Sequence, residues 1–310
     1  MRISAACAAV DVVVVAFLWG VLRRVRVWLN AVMGKSNKQA AAMITKRFMF
    51  PPVVTKTAVR YNRDSTLSMS ERRNLRVERL GRVEYGAALD IQKACERAVL
   101  AGQQPDTLLL LEHPHVLTMG RRSAPGAIVA PDEVLQARGV TVFETNRGGK
   151  ATYHGLGQVV GYPIISLSPD RKDVHRFVRD LEEVLIRTMS DFGIETFRIA
   201  GLTGVHTARG KVAAIGVHIA RWVTTHGFAL NVNTDLSYFN LIVACEGEPV
   251  TSMKELLGRE IDLSEVEDRI AERFAEVFEM DEVSTGSGPG SPRGLPARGG
   301  GSDRVLALSI

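Results

Sequence analysis

Between residues 75 and 280, apolar residues recur with two different periods in interleaved order, and this restricts the fold more than any other feature. Leu108–Leu111 and Val116–Met119 are short apolar runs around a His-Pro break, and Val159–Leu167, Val212–Ile219 and Phe228–Val232 are further runs of strand length. Between them lie helical periods. Ala88, Ile91, Cys95 and Val99 fall on one face of Val83–Leu100, and Val174, Phe177, Val178, Leu181, Val184, Leu185 and Phe192 recur at helix spacing. Ser264 and Glu267 read as a capping box opening a helix with Leu263, Val266, Ile270, Phe274 and Val277 inward. Neighbouring strands with helices among them predict an α+β fold of the α/β type, one mixed sheet with flanking helices.

The ends of the chain read differently. Residues 1–63 hold eleven Lys/Arg and one acid, Asp11; the remaining 28 basic and 33 acidic residues leave the rest of the chain acidic, although the whole sums to +5. A nucleic-acid enzyme would carry its basic charge on the folded domain, so nucleic acid is not an expected partner. Val12–Leu22 is apolar but too short for a membrane span, and no stable membrane insertion is expected. A basic, acid-poor, Ser/Thr-containing segment is the composition of a mitochondrial transit peptide, which predicts the mitochondrial matrix. The competing readings are a signal anchor on Val12–Leu22 and a translation start at Met33 or Met43. Residues 284–310 are dominated by Gly, Pro, Ser and Arg and read as a flexible tail. The expected divisions are therefore a leader at 1–63, a catalytic domain at 70–283 and a tail at 284–310.

Cys7, Cys95 and Cys245 make neither a disulfide framework nor a CxxC metal spacing. Cys95 sits on an apolar helix face and reads as a small core residue. Cys245 stands where an apolar run gives way to Glu-Gly-Glu-Pro, so exposure is expected. The most informative stretch is Arg147-Gly-Gly-Lys-Ala-Thr-Tyr-His-Gly-Leu-Gly-Gln158. Its glycines allow backbone N–H groups to approach a ligand, and a plain turn has little use for Arg, Thr, Tyr, His and Gln together. The GxxxxGK[ST] order of a P-loop is missing. Lys211 stands at the mouth of a small-residue strand, His226–Val232 follows, and Ile242–Gly247 carries Cys245. The histidines form no trusted metal spacing, so no metal is assigned.

RGGKATYHGLGQVVGYPI, GKVAAIG, THGFALNVNTDL and IVAC…VTS, in this order, resemble the octanoyl (lipoyl) transferase family over roughly residues 75–282. LLLLEHPHVLTMGRR resembles that family's opening strand region. The resemblance implies the fold of biotin and lipoate protein ligases, without ATP or any other cofactor, because the donor is already a thioester on acyl carrier protein. It implies a Cys245 acyl-enzyme and Lys211 as its catalytic partner. It also implies acyl-binding segments at Arg147, Gly148, Gly149, Lys150, Ala151, Thr152, Tyr153 and His154, at Ala214, Ile215 and Gly216, and at Gly227, Phe228 and Ala229. The implied donor is octanoyl-acyl carrier protein. The acceptors are lipoyl domains of 2-oxoacid dehydrogenases and the glycine cleavage H protein. Three positions depart from the family pattern: Leu156 and Ala244 replace prolines, and His206 stands where Trp is usual.

The residue types suit this chemistry. A thiol attacks as its thiolate, and an unperturbed Cys titrates near about 8.5, so a neighbouring ammonium favours the reactive form. Lys211 can supply that charge, protonate the departing pantetheine thiol and later take a proton from the incoming amine. His154 either shares the base role or orders the loop by a hydrogen bond. Ala213, Ala214, Gly216 and Ala229 leave room for an acyl chain between strands. Arg121, Arg122, Arg147 and Lys150 are the expected basic patch for acidic protein partners. The alternatives are an ATP-dependent lipoate or biotin ligase on the same fold, which would not need Cys245, and a non-catalytic acyl-carrier-binding relative, which should have lost Cys245 or Lys211.

Overall fold

The computed structural model describes residues 72–243 and 248–283. Its framework is a seven-stranded mixed sheet. In chain order the elements are β1 (Arg73–Arg82), α1 (Tyr85–Leu100), β2 (Asp106–Glu112), β3 (Val116–Met119), α2 (Asp132–Ala137), β4 (Thr141–Glu144), β5 (Thr152–His154) and β6 (Gln158–Ile164). Then follow α3 (Val174–Asp191), β7 (Val205–Thr207), β8 (Gly210–Ala220), β9 (Val223–Asn231), a 3-10 turn at Leu236–Leu241, α4 (Met253–Leu257), α5 (Leu263–Phe278) and β10 (Met280–Glu282). The large sheet runs β10-β1-β2-β6-β9-β8-β7, and β4-β3-β5 form a small second sheet. β1 is parallel to β2 and β10, whereas β2/β6, β6/β9, β9/β8 and β8/β7 are antiparallel.

The alternation of β2 explains the layering. Leu108 and Leu110 belong to the cluster with Phe177, Leu181, Leu185, Val266, Ile270 and Phe274 from α3 and α5. Leu109 and Leu111 face the other way, onto Ala88 and, at its margin, Ile91 and Cys95 of α1. A strand covered on both faces needs a continuous apolar run rather than alternation, which is what Leu108–Leu111 supplies. Truncating any of these four leucines to alanine should cost about 2–5 kcal/mol.

The expected strands and helices are present, and Cys95 occupies the half-buried packing position foreseen for it. The α5 cap differs from expectation. Asp262 is the N-cap and accepts from the Ser264 backbone N–H at 2.9 Å, so no Ser264–Glu267 box forms. Asp precedes Ser by two residues and reaches the first turn from a better position. β1 and β10 were not foreseen. Their residues alternate charge and hydrophobicity too irregularly to announce strands, and long-range parallel pairing makes them so. The β8–β9 hairpin turns on Arg221 and Trp222, both left-handed at φ 50° and 63°, the geometry that matches strand twist in a two-residue turn. No helix among the described residues is long and apolar enough to cross a membrane. The leader at 1–63, the tail at 284–310 and Cys245 lie outside the described residues.

Candidate active site

A cleft of about 1030 Å3, counted to its open mouth, lies over β8 and β9 beside the 147–154 segment. From the first segment it is lined by Arg147, Gly149, Lys150, Ala151, Thr152 and His154; from β8 by Lys211, Ala214, Ile215 and Gly216; from β9 by Gly227, Phe228 and Ala229. Stretches separated by up to 80 residues in sequence thus share one cavity. Strand register explains the convergence: Ala214 pairs with Ala229, Ile215 with Phe228 and Gly216 with Gly227. The 147–154 segment is pinned to the same strand by the Gly148 N–H donating to the Val217 carbonyl at 2.9 Å. A Cβ at Gly216 would stand 2.8 Å from the Gly148 carbonyl oxygen, so the close approach of loop to strand requires glycine there.

Some sequence-identified residues sit elsewhere. Tyr153 is fully buried on the far side, stacked near His115 and Tyr238, with its hydroxyl 2.7 Å from His115 Nδ1. Because Thr152–His154 is a strand, period two turns Tyr153 away while its neighbours face the cleft. Gly148 contributes backbone contacts rather than lining. Ala213 points into the main core, one residue out of phase with Ala214.

Arg147 is only 6 % exposed, which corrects its assignment to a docking patch. Its Nη2 donates to the Thr118 carbonyl at 2.7 Å and to Thr118 Oγ1 at 2.8 Å, and its Nη1 donates to the Gly148 carbonyl at 3.0 Å. A buried guanidinium must have its donors satisfied, so it acts as an internal fixture. Arg121, Arg122 and Lys150 do remain exposed. Arg122 and Lys150 line the mouth of the cleft.

Around Arg147 stands a group of buried aromatics and histidines that are neutral. Burial, with the Arg147 charge adding to it, pushes the His226 imidazole down to about 4. Burial likewise lowers His113 to about 4, and its Nδ1 donates to the Val83 carbonyl at 2.7 Å, which leaves Nε2 to accept from the Tyr162 hydroxyl at 2.7 Å. Tyr85 is pushed up to about 12 by burial against the opposing pull of Arg147. His154 is held well below the ordinary range, first by burial and then by the His113 and Arg147 charges. Gln158 Nε2 donates to the Tyr153 carbonyl and to Asn231 Oδ1, so its oxygen faces His154 Nδ1 at 2.8 Å and accepts the proton there. That bond fixes the 154–158 loop, the ordering role that the residues left open. Tyr85, Tyr162, Leu202 and Glu248 also line the cleft and carried no local signal in sequence; long-range packing brings them in.

Lys211 lies at the other end. It is 7 % exposed, opposes His206 across β7/β8, and its Nζ is 2.9 Å from Glu248 Oε2. The chain leading away from Cys245 is zipped to it: the Lys211 N–H donates to the Pro249 carbonyl at 2.8 Å, and the Thr251 N–H donates to the Lys211 carbonyl at 3.0 Å. The cleft therefore combines a small-residue wall, a fixed buried cation, neutral imidazoles and one lysine in an ion pair. That set suits binding of an uncharged chain and a proton transfer at one end.

Comparison with known proteins agrees with this geometry. Residues 84–275 match the family model described as the lipoyl protein ligase A/B catalytic domain. The octanoyltransferase of Solibacter usitatus (strain Ellin6076) is 50 % identical over 210 residues, covering 67 % of this chain and 95 % of that protein. That of Koribacter versatilis (strain Ellin345) is 48 % identical over 235 residues, covering 72 % of this chain and 93 % of that one. Among solved structures, a bi-partite lipoate protein ligase from Thermoplasma acidophilum superposes with a TM-score of 0.53 at 16 % identity, covering 69 % of this chain and 88 % of its own. Lipoate-protein ligase A bound with ATP gives a TM-score of 0.52 at 14 % identity, covering 69 % and 90 %. These structural likenesses establish the lipoate protein ligase-like fold. With a matched catalytic domain and near-half identity along more than nine-tenths of these two relatives, the chain belongs to the octanoyl (lipoyl) transferase family and is an acyltransferase of protein lipoylation.

Proposed function

We propose that this transferase moves an octanoyl group from octanoyl-acyl carrier protein, through a thioester on Cys245, to a lysine of a lipoyl domain or of the glycine cleavage H protein. The Cys245 thiolate attacks the donor carbonyl, and the C–S bond to pantetheine breaks. Lys211 gives its proton to the departing thiolate and becomes a neutral amine. The acceptor amine then attacks the Cys245 thioester, an amide C–N bond forms, and the proton it loses returns to Lys211 as the Cys245 thiolate leaves. Cys245 and Lys211 are thus regenerated, with no ATP consumed. The observation that carries this reading is Lys211 itself, a buried lysine lining the cleft and joined through its own backbone to the segment that follows Cys245 by only a few residues. The octanoyl chain lies along Ala214, Gly216 and Ala229, with Gly227 and Phe228 beside it. Arg121, Arg122 and Lys150 at the mouth meet the acidic carrier and acceptor domains. Residues 1–63 direct the chain to the mitochondrial matrix and are removed, and 70–283 is the working domain.

The experiment is incubation with octanoyl-acyl carrier protein in the absence of ATP, followed by intact mass and peptide mapping. The expected product is a hydroxylamine-labile octanoyl adduct on Cys245, discharged when a lipoyl domain is added. An adduct on Cys95, or transfer that requires ATP, overturns the covalent route and favours a ligase.

A further inference from the structure

Glu248 stands out because it has no counterpart in the chemistry above. Its carboxylate oxygen is 2.9 Å from Lys211 Nζ, and the same oxygen is 3.5 Å from His206 Nε2. His206 is 2 % exposed, and among the described residues neither of its ring nitrogens has a hydrogen-bond partner. It lies against one side of the carboxylate, whose side chain is 20 % exposed. Glu248 is also not free to wander. Pro249 and Thr251 are hydrogen-bonded to Lys211, and Gly210 at φ 132° has its Cβ position 2.4 Å from the Pro249 carbonyl oxygen, an approach only glycine allows. The pair is therefore built into the strand edge.

We infer that Glu248 is a positioning residue for Lys211: it holds the lysine's nitrogen at one end of the cleft, where the proposed proton transfer takes place. This rests on the reading of Lys211 as the proton carrier. A carboxylate at contact distance, on a segment pinned to the lysine's own backbone, restricts the side chain to one direction, so that its nitrogen is presented at one place in the cleft. Among the described residues, the groups facing this cluster are those of β8, β7 and α3. Lys211 and Glu248 face His206 directly. Glu182 of α3 acts from behind, and is itself held by Arg179, Arg198 and the Gly204 N–H. Glu248 is kept a carboxylate: burial pushes its pKa up, but the hydrogen bond and charge of Lys211, with His206, outweigh that and leave it below the ordinary range.

The test uses the full chain, octanoyl-acyl carrier protein and a lipoyl domain, with single-turnover rates of acylation and of transfer and the KM for donor measured. Glu248→Gln keeps the bulk and removes the charge that holds the lysine; transfer should fall about tenfold, with the KM for donor and the denaturant midpoint little changed. Glu248→Asp restores the charge and should recover much of that loss. A Glu248→Gln transfer rate equal to that of the wild type, alongside an inactive Lys211→Met, overturns the inference and leaves the role of Lys211 standing. Full transfer by Lys211→Met overturns the reading of Lys211 on which the inference rests.

Discussion

The two ends of the cleft are built on opposite principles. At the Arg147 end, a charged side chain is almost fully buried and its donors are spent on Thr118 and Gly148. The imidazoles around it are neutral and tied by hydrogen bonds, with His113 to Tyr162 and His154 to Gln158. At the Lys211 end, among the described residues, the lysine stands in an ion pair at 2.9 Å beside a histidine whose ring nitrogens have no hydrogen-bond partner. A closely hydrogen-bonded polar network is rigid and holds shape, even though His226 Nδ1 and Gln92 Nε2 lack a partner among the described residues. An under-partnered charge in a partly closed site can change its protonation without dismantling the fold. The Arg147 end shapes the cleft, and the proposed proton transfer falls at the Lys211 end.

The sharpest way to break this contrast is to remove the lysine. Lys211→Met should lower the transfer rate by about 10²–10⁴-fold, the range of a lost general acid–base group, while a denaturant melt moves little. Lys211→Arg retains the charge but cannot release its proton near neutrality, so acylation should partly survive while transfer collapses. Restoration of both steps by Arg would mean that charge alone matters at that end.

Arg147→Met tests the other end and should fail in the opposite way. Removing the guanidinium strands the buried Thr118 and Gly148 carbonyls, so the urea midpoint should drop by an amount corresponding to about 2–4 kcal/mol. A variant of unchanged stability but lost activity would place Arg147 in the chemistry instead.

The neutral histidines predict a pH dependence of stability with a definite sign. His113 and His226 titrate at about 4 in the folded chain. Their unfolded counterparts titrate near about 6.5, so between these values the unfolded state binds more protons. Stability is full above about pH 6.5 and falls as pH drops towards 4, by at most about 3 kcal/mol for each histidine. His226→Gln should flatten that fall in a pH series of thermal melts. An unaltered slope would assign the loss to other groups.

Gly216→Ala is a smaller perturbation of the junction between the two ends. The added methyl meets the Gly148 carbonyl at 2.8 Å and the Arg147 Cδ at 3.3 Å. The cost should be about 1–3 kcal/mol of stability with a raised KM for the acyl donor, and kcat should change less. The smallest effect is expected from trimming the chain to 70–283, which should leave the melting temperature and transfer rate close to those of the full chain. Failure of that piece to fold would assign a structural role to residues 1–63 or 284–310.

Much of this was legible in order along the chain. The apolar runs of β2, β6, β8 and β9 and the helical periods of α1, α3 and α5 are local patterns. A continuous run such as Leu108–Leu111 has few ways to hide from water except between two layers. The glycines of 147–157, the small residues of β8 and β9, and Lys211 between Gly210 and Val212 announced a lined cleft, and its residues converge there. These features depend on composition and spacing, which a sequence carries in full.

Other features depend on partners far away in the chain, and tertiary structure alone decided them. Period two in β5 turned Tyr153 to the opposite face from His154, yet nothing in Thr-Tyr-His told strand from loop. Arg147 reads as a surface cation until Thr118, 29 residues earlier, is brought against it. β1 becomes a strand by pairing along β2, and β10 by pairing with the start of β1 some 200 residues earlier. Glu248 reads as one more acid in a polar turn, until the pairing of Lys211 with Pro249 and Thr251 sets it on the lysine. Burial and charge pairing are properties of where side chains meet, and register over long separations determines where that is.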